Sequence, residues 1–425
     1  IWISKFLRFL DLYNFNITKI EKQAFINMPV LVRLNVSHNI ISEIDPDNFK
    51  LVTNMVNLDI SYNKLTKFEL NNSSLEGTKA VYLNNNKLTE VPSANLSEVV
   101  YLDLSNNKIS NVSVQIFKTF QYLRVLHLSY NTLDAFNNPY TNTLKELSDL
   151  SLSSNHISSL NLSYYKNLAS LDISNNSLSV INSTFLQNMD FLQSLDISNN
   201  NVSVILPGTF QNLKVLKLLN MSSNKLTSIR YGAFKGLHTV EVLDFSRNEI
   251  THIDVHVFHE CTELRRLILD YNQLKELYIE MLITLAPLLT SVSIGGNPIE
   301  CKEIVVSIKN LTEKKFTADS PRKEVEVTSI DKIFHEDNVH GIKCGKFETT
   351  EPTEETKKTE HEGTSMSGLI IFIGVIVTII IVTLGVFAVY AYKLKIRNTN
   401  YSESRLQMRN SMDASIHSFQ GNLLN

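Results

Sequence analysis

Apolar residues recur at fixed positions within units of 21 to 25 residues along residues 7–301, in the order LxxLxLxxNxL. One asparagine marks each of twelve units. A further unit precedes them, in which Leu7, Leu10 and Leu12 keep the apolar frame and Phe15 takes the asparagine position. The pattern therefore predicts thirteen units. The twelve asparagines are Asn39, Asn63, Asn86, Asn107, Asn131, Asn155, Asn176, Asn200, Asn224, Asn248, Asn272 and Asn297.

Within each unit the segment xLxL alternates with a period of two residues, which predicts a short strand whose leucines point inward. The asparagine follows at an inward-turning corner, and a buried amide is tolerated only when its polar atoms are hydrogen-bonded. We therefore expect each asparagine to bond backbone groups of its own turn and of the adjacent turn. Because one coil cannot bury its apolar side alone, the units should stack around one continuous core.

This register resembles the leucine-rich repeat family. The resemblance implies an α/β solenoid whose strands form a curved parallel sheet on the concave side. A phenylalanine ten residues after the asparagine position resembles the spine that fills the convex side of such proteins, and Phe185 stands one place early. The two 21-residue steps, which end at Asn107 and Asn176, lack this phenylalanine. The spine positions are Phe25, Phe49, Phe117, Phe210, Phe234 and Phe258.

The repeats end in the segment GNPIEC, and another cysteine follows at position 344. The segment resembles the C-terminal cap of extracellular leucine-rich repeat proteins, although that cap has four cysteines and begins CxC, whereas Glu303 stands here. The resemblance implies a reduced cap at 301–345 with a disulfide between Cys301 and Cys344. Cys261 occupies a position that is apolar in other units, which favours a buried side chain; an intermolecular disulfide is the alternative.

Residues 369–392 contain no charge, and a helix of this length extends about 36 Å, enough to cross a hydrocarbon core of about 30 Å. Lys393, Lys395 and Arg397 follow, which predicts a cytoplasmic C-terminus. We therefore expect a single-pass plasma-membrane protein with an extracellular N-terminus; a buried core helix is the alternative. We also expect further repeats or a cap before residue 1. The predicted regions are about thirteen repeats at 1–300, the cap at 301–345, a disordered acidic Thr-rich stalk at 346–366, the transmembrane helix at 369–392 and a short cytoplasmic tail at 393–425.

Twelve N-x-S/T sequons precede the predicted transmembrane helix, as expected of a glycosylated ectodomain. Asn35 and Asn220 occupy the x of LxL, and glycans there would obstruct repeats 2 and 10. The sequence then predicts that the repeats between them stay open for a ligand. The sequons are at Asn16, Asn35, Asn71, Asn72, Asn95, Asn111, Asn161, Asn175, Asn182, Asn201, Asn220 and Asn310.

On the predicted concave face, the x of LxL is mostly aspartate and the residue two places later is mostly serine. This pattern favours a solvated scaffold; an acidic face for a cationic partner is the alternative. Repeats 4 to 6 depart from it, and exposed tyrosine beside valine and histidine on strands about 4.8 Å apart is typical of interface anchors. We predict a partner-binding site formed by Tyr82, Tyr101, Val125, His127 and Tyr130. A smaller departure in repeats 11 and 12 consists of Arg247, Arg266, Ile268 and Tyr271.

The sequence offers no support for catalysis or metal binding. It contains no GxSxG, HExxH or CxxC motif and no phosphate-cradling glycine loop. The net charge is −3, from 40 basic and 43 acidic residues, so no basic excess indicates a nucleic-acid partner. His252, His256 and His259 lie close together, but a solvated loop is favoured because no ligand spacing accompanies them. We expect no enzyme activity, no cofactor and no metal.

The arrangement resembles single-pass cell-surface leucine-rich repeat proteins, and the repeats resemble Toll-receptor ectodomains and insect adhesion or immune proteins. The 33 residues 393–425 are too short for the cytoplasmic signalling domain of Toll receptors, so we do not expect direct signalling by that route. A solenoid presents a wide, rigid surface that suits macromolecular ligands. We expect recognition by protein–protein binding, as an adhesion molecule or an immune co-receptor. The partner would be an extracellular protein or a same-type receptor, in a homo- or hetero-dimer. The alternative is a structural matrix or membrane-organising glycoprotein without a signalling ligand.

Overall fold

A computed structural model describes residues 3–69, 75, 77–92, 96–113, 120–137, 144–181, 185–313, 326–329, 338–339 and 342–344. The predicted stalk at 346–366, the predicted transmembrane helix at 369–392 and the predicted tail at 393–425 lie outside these residues. In the part of the chain that the structure describes, no helix has the length and apolar character needed to span a membrane.

Short parallel strands form one sheet that runs through the repeats. In the described residues this sheet has fourteen strands, which pair in chain order. The first thirteen coincide with the xLxL segments, which confirms the thirteen units and the parallel-sheet solenoid; we number the repeats 1 to 13 accordingly. The fourteenth strand, Glu326–Thr328, lies in the cap segment and was not predicted from the sequence. The strands of the repeats are Phe9–Asp11, Arg33–Asn35, Asn57–Asp59, Ala80–Tyr82, Tyr101–Asp103, Val125–His127, Asp149–Ser151, Ser170–Asp172, Ser194–Asp196, Leu218–Asn220, Val242–Asp244, Arg266–Ile268 and Ser291–Ser293.

The repeated asparagines form a buried ladder that joins neighbouring repeats. All twelve are 1–9% exposed. In repeat 9, the amide nitrogen of Asn200 donates to two carbonyl oxygens of its own repeat and to that of Ile173 in repeat 8, at 3.0–3.1 Å. Its amide oxygen accepts from the N–H of Leu178, also in repeat 8, at 2.9 Å. The prediction that each asparagine bonds its own and the adjacent turn is confirmed.

The residue before each asparagine position has a positive φ in all thirteen repeats. The angle is 53–59° at the twelve non-glycine positions and 74° at Gly296. This left-handed position turns the chain out of the strand, and its N–H donates to the next repeat, as Tyr130 does to the carbonyl of Ser153 at 2.9 Å. Because a Cβ disfavours this conformation, the surrounding hydrogen bonds must hold it in place.

Short elements occupy the segments that return from each strand to the next. The described 3₁₀ helices are Pro46–Phe49 and Val255–Glu260 in such segments and Ile3–Phe6 before the first strand. Helix Ile279–Leu285 is the α-helical return segment before repeat 13. Two parallel strand pairs also occur here, Ala135–Asn137 with Ser159–Asn161 and Ser228–Ile229 with His252–Ile253.

Aromatic side chains fill the return side, as the resemblance implies. Phe185 is half-buried, and Phe117 lies outside the described residues. The short repeat that ends at Asn176 lacks the phenylalanine, as stated above, but Tyr165 stands at the same position, ten residues after Asn155, and is 1% exposed. Its ring centroid lies 6.2 Å from that of Phe136. The other described spine residues, all 0–3% exposed, are Phe25, Phe49, Phe210, Phe234 and Phe258.

A disulfide and a helix begin the cap. Helix Cys301–Glu313 starts at the first cap cysteine, and Cys301 is joined to Cys344 with 5.2 Å between their Cα atoms. The antiparallel strands Asn338–Val339 and Ile342–Lys343 precede Cys344. Cys261 is buried and unpaired, and burial, with a smaller contribution from the charge of Glu260, raises the pKa of its thiol to about 12. The prediction of a buried side chain at Cys261 is confirmed.

A buried carboxylate connects repeat 12 with the cap. Asp270, which is fully buried, takes the place that serine holds in most repeats. It accepts hydrogen bonds from the N–H of Gly295 at 3.0 Å and from the hydroxyl of Ser329 at 2.8 Å. A Cβ on Gly295 would collide with that hydroxyl, so a residue without a side chain is needed in repeat 13 for the cap to reach Asp270.

Candidate protein-binding face

The side of the sheet opposite the core, which we call the sheet face, carries the first and third residue of each strand and the residue two places later. In repeats 8 to 11 the third residue of each strand accepts a hydrogen bond from the residue two places later. Two further bonds join neighbouring repeats, from the hydroxyl of Ser151 to Asp172 at 3.1 Å and from the side-chain nitrogen of Asn220 to Asp196 at 2.9 Å. The carboxylate of Asp172 accepts from the N–H of Ser174 at 3.0 Å and from its hydroxyl at 2.7 Å. Asp244 and Ser246 make the same pair at 2.9 and 2.7 Å. The hydrogen-bonding capacity of this region is therefore used largely by the scaffold itself.

Rings contact one another across repeats 4, 5 and 6. The ring centroids of Tyr82 and Tyr101 are 5.0 Å apart, and those of Tyr101 and His127 are 5.5 Å apart in an edge-on arrangement. The hydroxyl of Tyr101 lies 3.5 Å from Nδ1 of His127. Tyr101 pairs in register with Val125, so its ring reaches residues one strand away on both sides. We call Tyr82, Tyr101, Val125, His127 and Tyr130 the aromatic cluster.

The five predicted contact residues differ in position and exposure. The side chains of Tyr82, Tyr101, Val125 and His127 all lie on strands and are half-buried. Tyr130 lies at the rim, three residues after its strand, in the left-handed position, and is 64% exposed. The structure therefore brings four of the five together on the sheet and places the fifth beside them. Their role in binding remains a prediction.

Asp149 in repeat 7 extends the aromatic cluster and was missed by sequence reasoning. Its Oδ1 lies 4.0 Å from Nε2 of His127. Burial raises the pKa of Asp149; the charge of His127 opposes this shift and the charge of Asp172 reinforces it. The signal that could have found Asp149 is strand register, because it stands directly beside Val125 in the next repeat.

The sequons differ in exposure on the surface of the fold. Asn35 is 7% exposed, and its side-chain nitrogen donates to Asp11 at 3.0 Å, so it is not the open position that its place in LxL indicates. Asn220 is half-buried and donates to Asp196 at 2.9 Å. Asn310 lies in the first cap helix. Exposed sequons are Asn16, Asn111, Asn161, Asn175 and Asn201. Outside the described residues lie Asn71, Asn72, Asn95 and Asn182.

A second row of rings follows the rim in repeats 1 to 3 and was also missed. The ring centroids of Tyr13 and His38 are 4.9 Å apart, and His38 stacks on Tyr62 at 4.0 Å with planes inclined by 12°. His38 and Tyr62 both hold the left-handed position, whose period would have revealed the row. At the same position in repeats 11 and 12, the guanidinium of Arg247 lies 4.6 Å from the ring centroid of Tyr271.

The described residues contain no group of three or more His, Cys, Asp or Glu side chains that could hold a metal ion. His252 belongs to a short strand, and His256 and His259 belong to the helix Val255–Glu260, so the prediction of a loop is wrong for all three. Nδ1 of His259 lies 2.9 Å from the carbonyl oxygen of His256, so this ring already has a local partner.

The family model described as "Leucine rich repeat" matches residues 6–65, 97–157, 166–226 and 216–274. These ranges cover more than half of the 425 residues. The chain belongs to the leucine-rich repeat family. The matches fall on repeats that carry the sheet face. The second match contains four residues of the aromatic cluster, whereas Tyr82 lies between the first two matches.

Relatives share part of this leucine-rich repeat chain. Leucine-rich repeats and immunoglobulin-like domains protein 1 of Homo sapiens is 37% identical over 107 residues, which are 25% of this chain and 8% of that protein. Lumican of Bos taurus is 34% identical over 106 residues, 24% of this chain and 30% of lumican. The chain thus spans less than a third of either relative. The solved leucine-rich repeat domain of APL1B aligns with a TM-score of 0.60 and 21% identity over 80% of this chain and 94% of that chain, which shows the shared fold.

Proposed function

We propose that this leucine-rich repeat protein recognises a protein partner outside the cell through its sheet face, with the aromatic cluster as the main contact. The observation that supports the proposal is the chain of ring contacts across repeats 4 to 6. Tyr82, Tyr101 and His127 hold one another in place and remain partly exposed. Aromatic side chains whose orientation is fixed before binding lose little conformational entropy, and they are the usual anchors of protein interfaces.

The composition of the aromatic cluster favours a protein ligand. Tyrosine combines a large ring with a hydroxyl, while His127 and Asp149 add a basic and an acidic group at one edge. An apolar centre with a polar rim is the anatomy of protein–protein interfaces. The neighbouring repeats add a solvated scaffold whose polar groups are already bonded, so they can be covered at little cost.

A cell-surface location is part of the proposal. The disulfide between Cys301 and Cys344 suits an oxidising compartment. The uncharged segment 369–392 and the basic residues that follow it support a single-pass anchor with the repeats outside the cell. The partner is then an extracellular protein or a receptor of the same type, in an adhesive or immune setting.

The test begins with cells that display the full chain and are screened against a library of soluble extracellular proteins. Affinity for the captured partner is then measured for a variant with Tyr82→Ala, Tyr101→Ala and Tyr130→Ala. We expect binding at least about a hundredfold weaker, because interface anchors contribute about 2 kcal/mol or more each. Surface expression should not change, since none of the three side chains lies in the core.

A matched control replaces three tyrosines away from the sheet face, each 55–63% exposed: Tyr122→Ala, Tyr231→Ala and Tyr278→Ala. This variant should bind as the unmodified protein does. Unchanged affinity of the aromatic-cluster variant, or an equal loss in the control, contradicts the proposal. Capture of only further copies of this chain would favour the membrane-organising glycoprotein.

A further inference from the structure

A polar groove lies on the sheet face at the junction of repeats 12 and 13 with the cap strand Glu326–Thr328. Its volume is about 430 Å³, which is within the range of small-ligand sites. It is distant in the repeat order from the aromatic cluster of repeats 4 to 6, so what it binds does not depend on the proposed function. The groove is lined by Arg266, Ser291, Ser293, Glu326, Thr328 and Ser329.

Strand register sets a cation and an anion on opposite sides of a hydroxyl. Arg266 pairs with Ser291, and Ser291 pairs with Glu326, so the two charged residues stand two strand spacings apart, about 10 Å. Both are exposed. The preceding Arg265 pairs with the carboxylates of Glu241 and Glu263 at 3.8 and 4.0 Å. Among the described residues, neither Arg266 nor Glu326 has such a partner.

The floor of the groove contains a buried hydroxyl that has no hydrogen-bond partner in the described part of the chain. Ser293 is 1% exposed, and its Oγ has no hydrogen-bond partner among the described residues. The neighbouring hydroxyl of Ser329 is already committed to Asp270 at 2.8 Å. A buried polar atom without a partner is costly, and a ligand in the groove would supply the missing hydrogen bond.

We infer that this groove binds a short zwitterionic peptide. The guanidinium of Arg266 receives the carboxylate, for which its fork of donors is suited, and Glu326 receives the ammonium group. Ser291 and Ser293 hydrogen-bond the peptide backbone between them. An extended chain spans about 3.3–3.6 Å per residue, so a tripeptide matches the separation of about 10 Å. A simple anion is disfavoured because Glu326 would repel it.

The test titrates the purified full chain with triglycine, N-acetyl-triglycine and triglycine amide by isothermal calorimetry. Triglycine should bind saturably. Each blocked peptide should bind about tenfold or more weakly, because each has lost one charge-assisted contact. Absence of saturable triglycine binding, or equal binding of a blocked peptide, overturns the inference.

Three variants locate the contacts. Arg266→Gln should weaken triglycine binding by about tenfold or more and abolish the preference over triglycine amide. Glu326→Gln should weaken triglycine binding by about tenfold or more and abolish the preference for triglycine over N-acetyl-triglycine. Arg265→Gln, the adjacent and already paired arginine, is the control and should change neither. Equal effects of Arg265→Gln and Arg266→Gln overturn the assignment.

The buried hydroxyl of Ser293 allows a test that is independent of the two charged side chains. Ser293→Ala should weaken triglycine binding severalfold without lowering the midpoint of thermal unfolding, because the hydroxyl has no partner inside the described protein. Unchanged affinity in this variant contradicts the inference. Folding is checked independently through the intact disulfide between Cys301 and Cys344 by mass spectrometry.

Discussion

Repeats 4 to 6 and repeats 8 to 11 have the same interior and different outer surfaces. Both contain the buried asparagine ladder and the left-handed position before it. In repeats 8 to 11, short polar side chains bond one another, within a repeat as Ser174 does to Asp172 and between repeats as Asn220 does to Asp196. In repeats 4 to 6, Tyr82, Tyr101 and His127 contact one another between strands, and only Asp103 and Ser105 in repeat 5 keep the polar pair. The polar side chains of repeats 8 to 11 therefore stabilise the repeats, whereas the rings of repeats 4 to 6 are held in position by the repeats and remain available for binding.

This contrast explains why a repeat protein can carry a specific site without altering its fold. The core positions of a repeat are fixed by stacking, whereas the sheet face contributes little to stacking and can change. In repeats 8 to 11 the short polar side chains are already hydrogen-bonded to one another, within and between repeats. In repeats 4 to 6 the rings of three strands form one surface, so a partner must fit all of them together, and this requirement gives specificity.

The largest expected effect concerns the ladder that the two regions share. Asn131→Ala in repeat 6 and Asn200→Ala in repeat 9 should each lower the free energy of unfolding by about 3 kcal/mol, because four backbone groups lose their partner. Urea unfolding followed by circular dichroism measures both losses. A difference of more than about 1 kcal/mol between them would show that the interiors are not equivalent.

The next prediction gives part of repeats 4 to 6 the surface residues of repeats 8 to 11. Tyr82→Asp with Tyr101→Ser gives repeats 4 and 5 the residue types found in repeats 8 and 9. We expect partner affinity to fall by about a hundredfold while the free energy of unfolding changes by less than about 1 kcal/mol. Binding and urea unfolding of the same preparation test this. A large decrease in the free energy of unfolding would mean that the rings stabilise the fold, and it would contradict their assignment to binding.

A moderate effect is expected where aspartate and serine bond within one strand. Asp172→Ala should lower the free energy of unfolding by about 1 kcal/mol, since the N–H and hydroxyl of Ser174 lose their acceptor. Ser174→Ala in the same background should then cost almost nothing more, because its hydroxyl is already unpaired. A double-mutant cycle measures this coupling; additive losses would argue against a shared bond.

The smallest effect is the pH dependence of Asp149. Its folded-state pKa is raised by burial, so the folded chain retains this proton to higher pH than the unfolded chain does. The contribution to stability is therefore present below the ordinary aspartate pKa of about 4 and is lost as pH rises through the raised value. Asp149→Asn should remove this part of the pH profile of urea unfolding. Asp244→Asn, on the same face, should retain it.

Much of the fold was predictable because its determinants lie within one repeat. The strand positions, the ladder and most of the return-side aromatics follow from apolar spacing alone, and the asparagine bonds follow from the rule that buried amides must be satisfied. Tyr165 was not predicted because the family signature at this position is phenylalanine, whereas the position requires only a large buried ring.

Features that join different repeats were harder to predict. The cap strand Glu326–Thr328 depends on Asp270 reaching across Gly295 to Ser329, a contact between residues 59 apart in sequence. The burial of Asn35 likewise depends on Asp11 in the preceding repeat. The membership of the aromatic cluster was predicted from residue type, but Asp149 required the lateral register of the strands.

The left-handed position at the rim limits which sequence changes the protein tolerates there. In the repeats it holds Asn, His, Tyr, Ser, Arg or Gly and never Val, Ile or Thr, because branching at Cβ makes a positive φ much costlier. Size, charge and aromaticity can all vary at these thirteen evenly spaced points. The left-handed positions thus form a row of exchangeable side chains along the rim. Evolution can change binding specificity there by single substitutions that leave the backbone of every repeat intact.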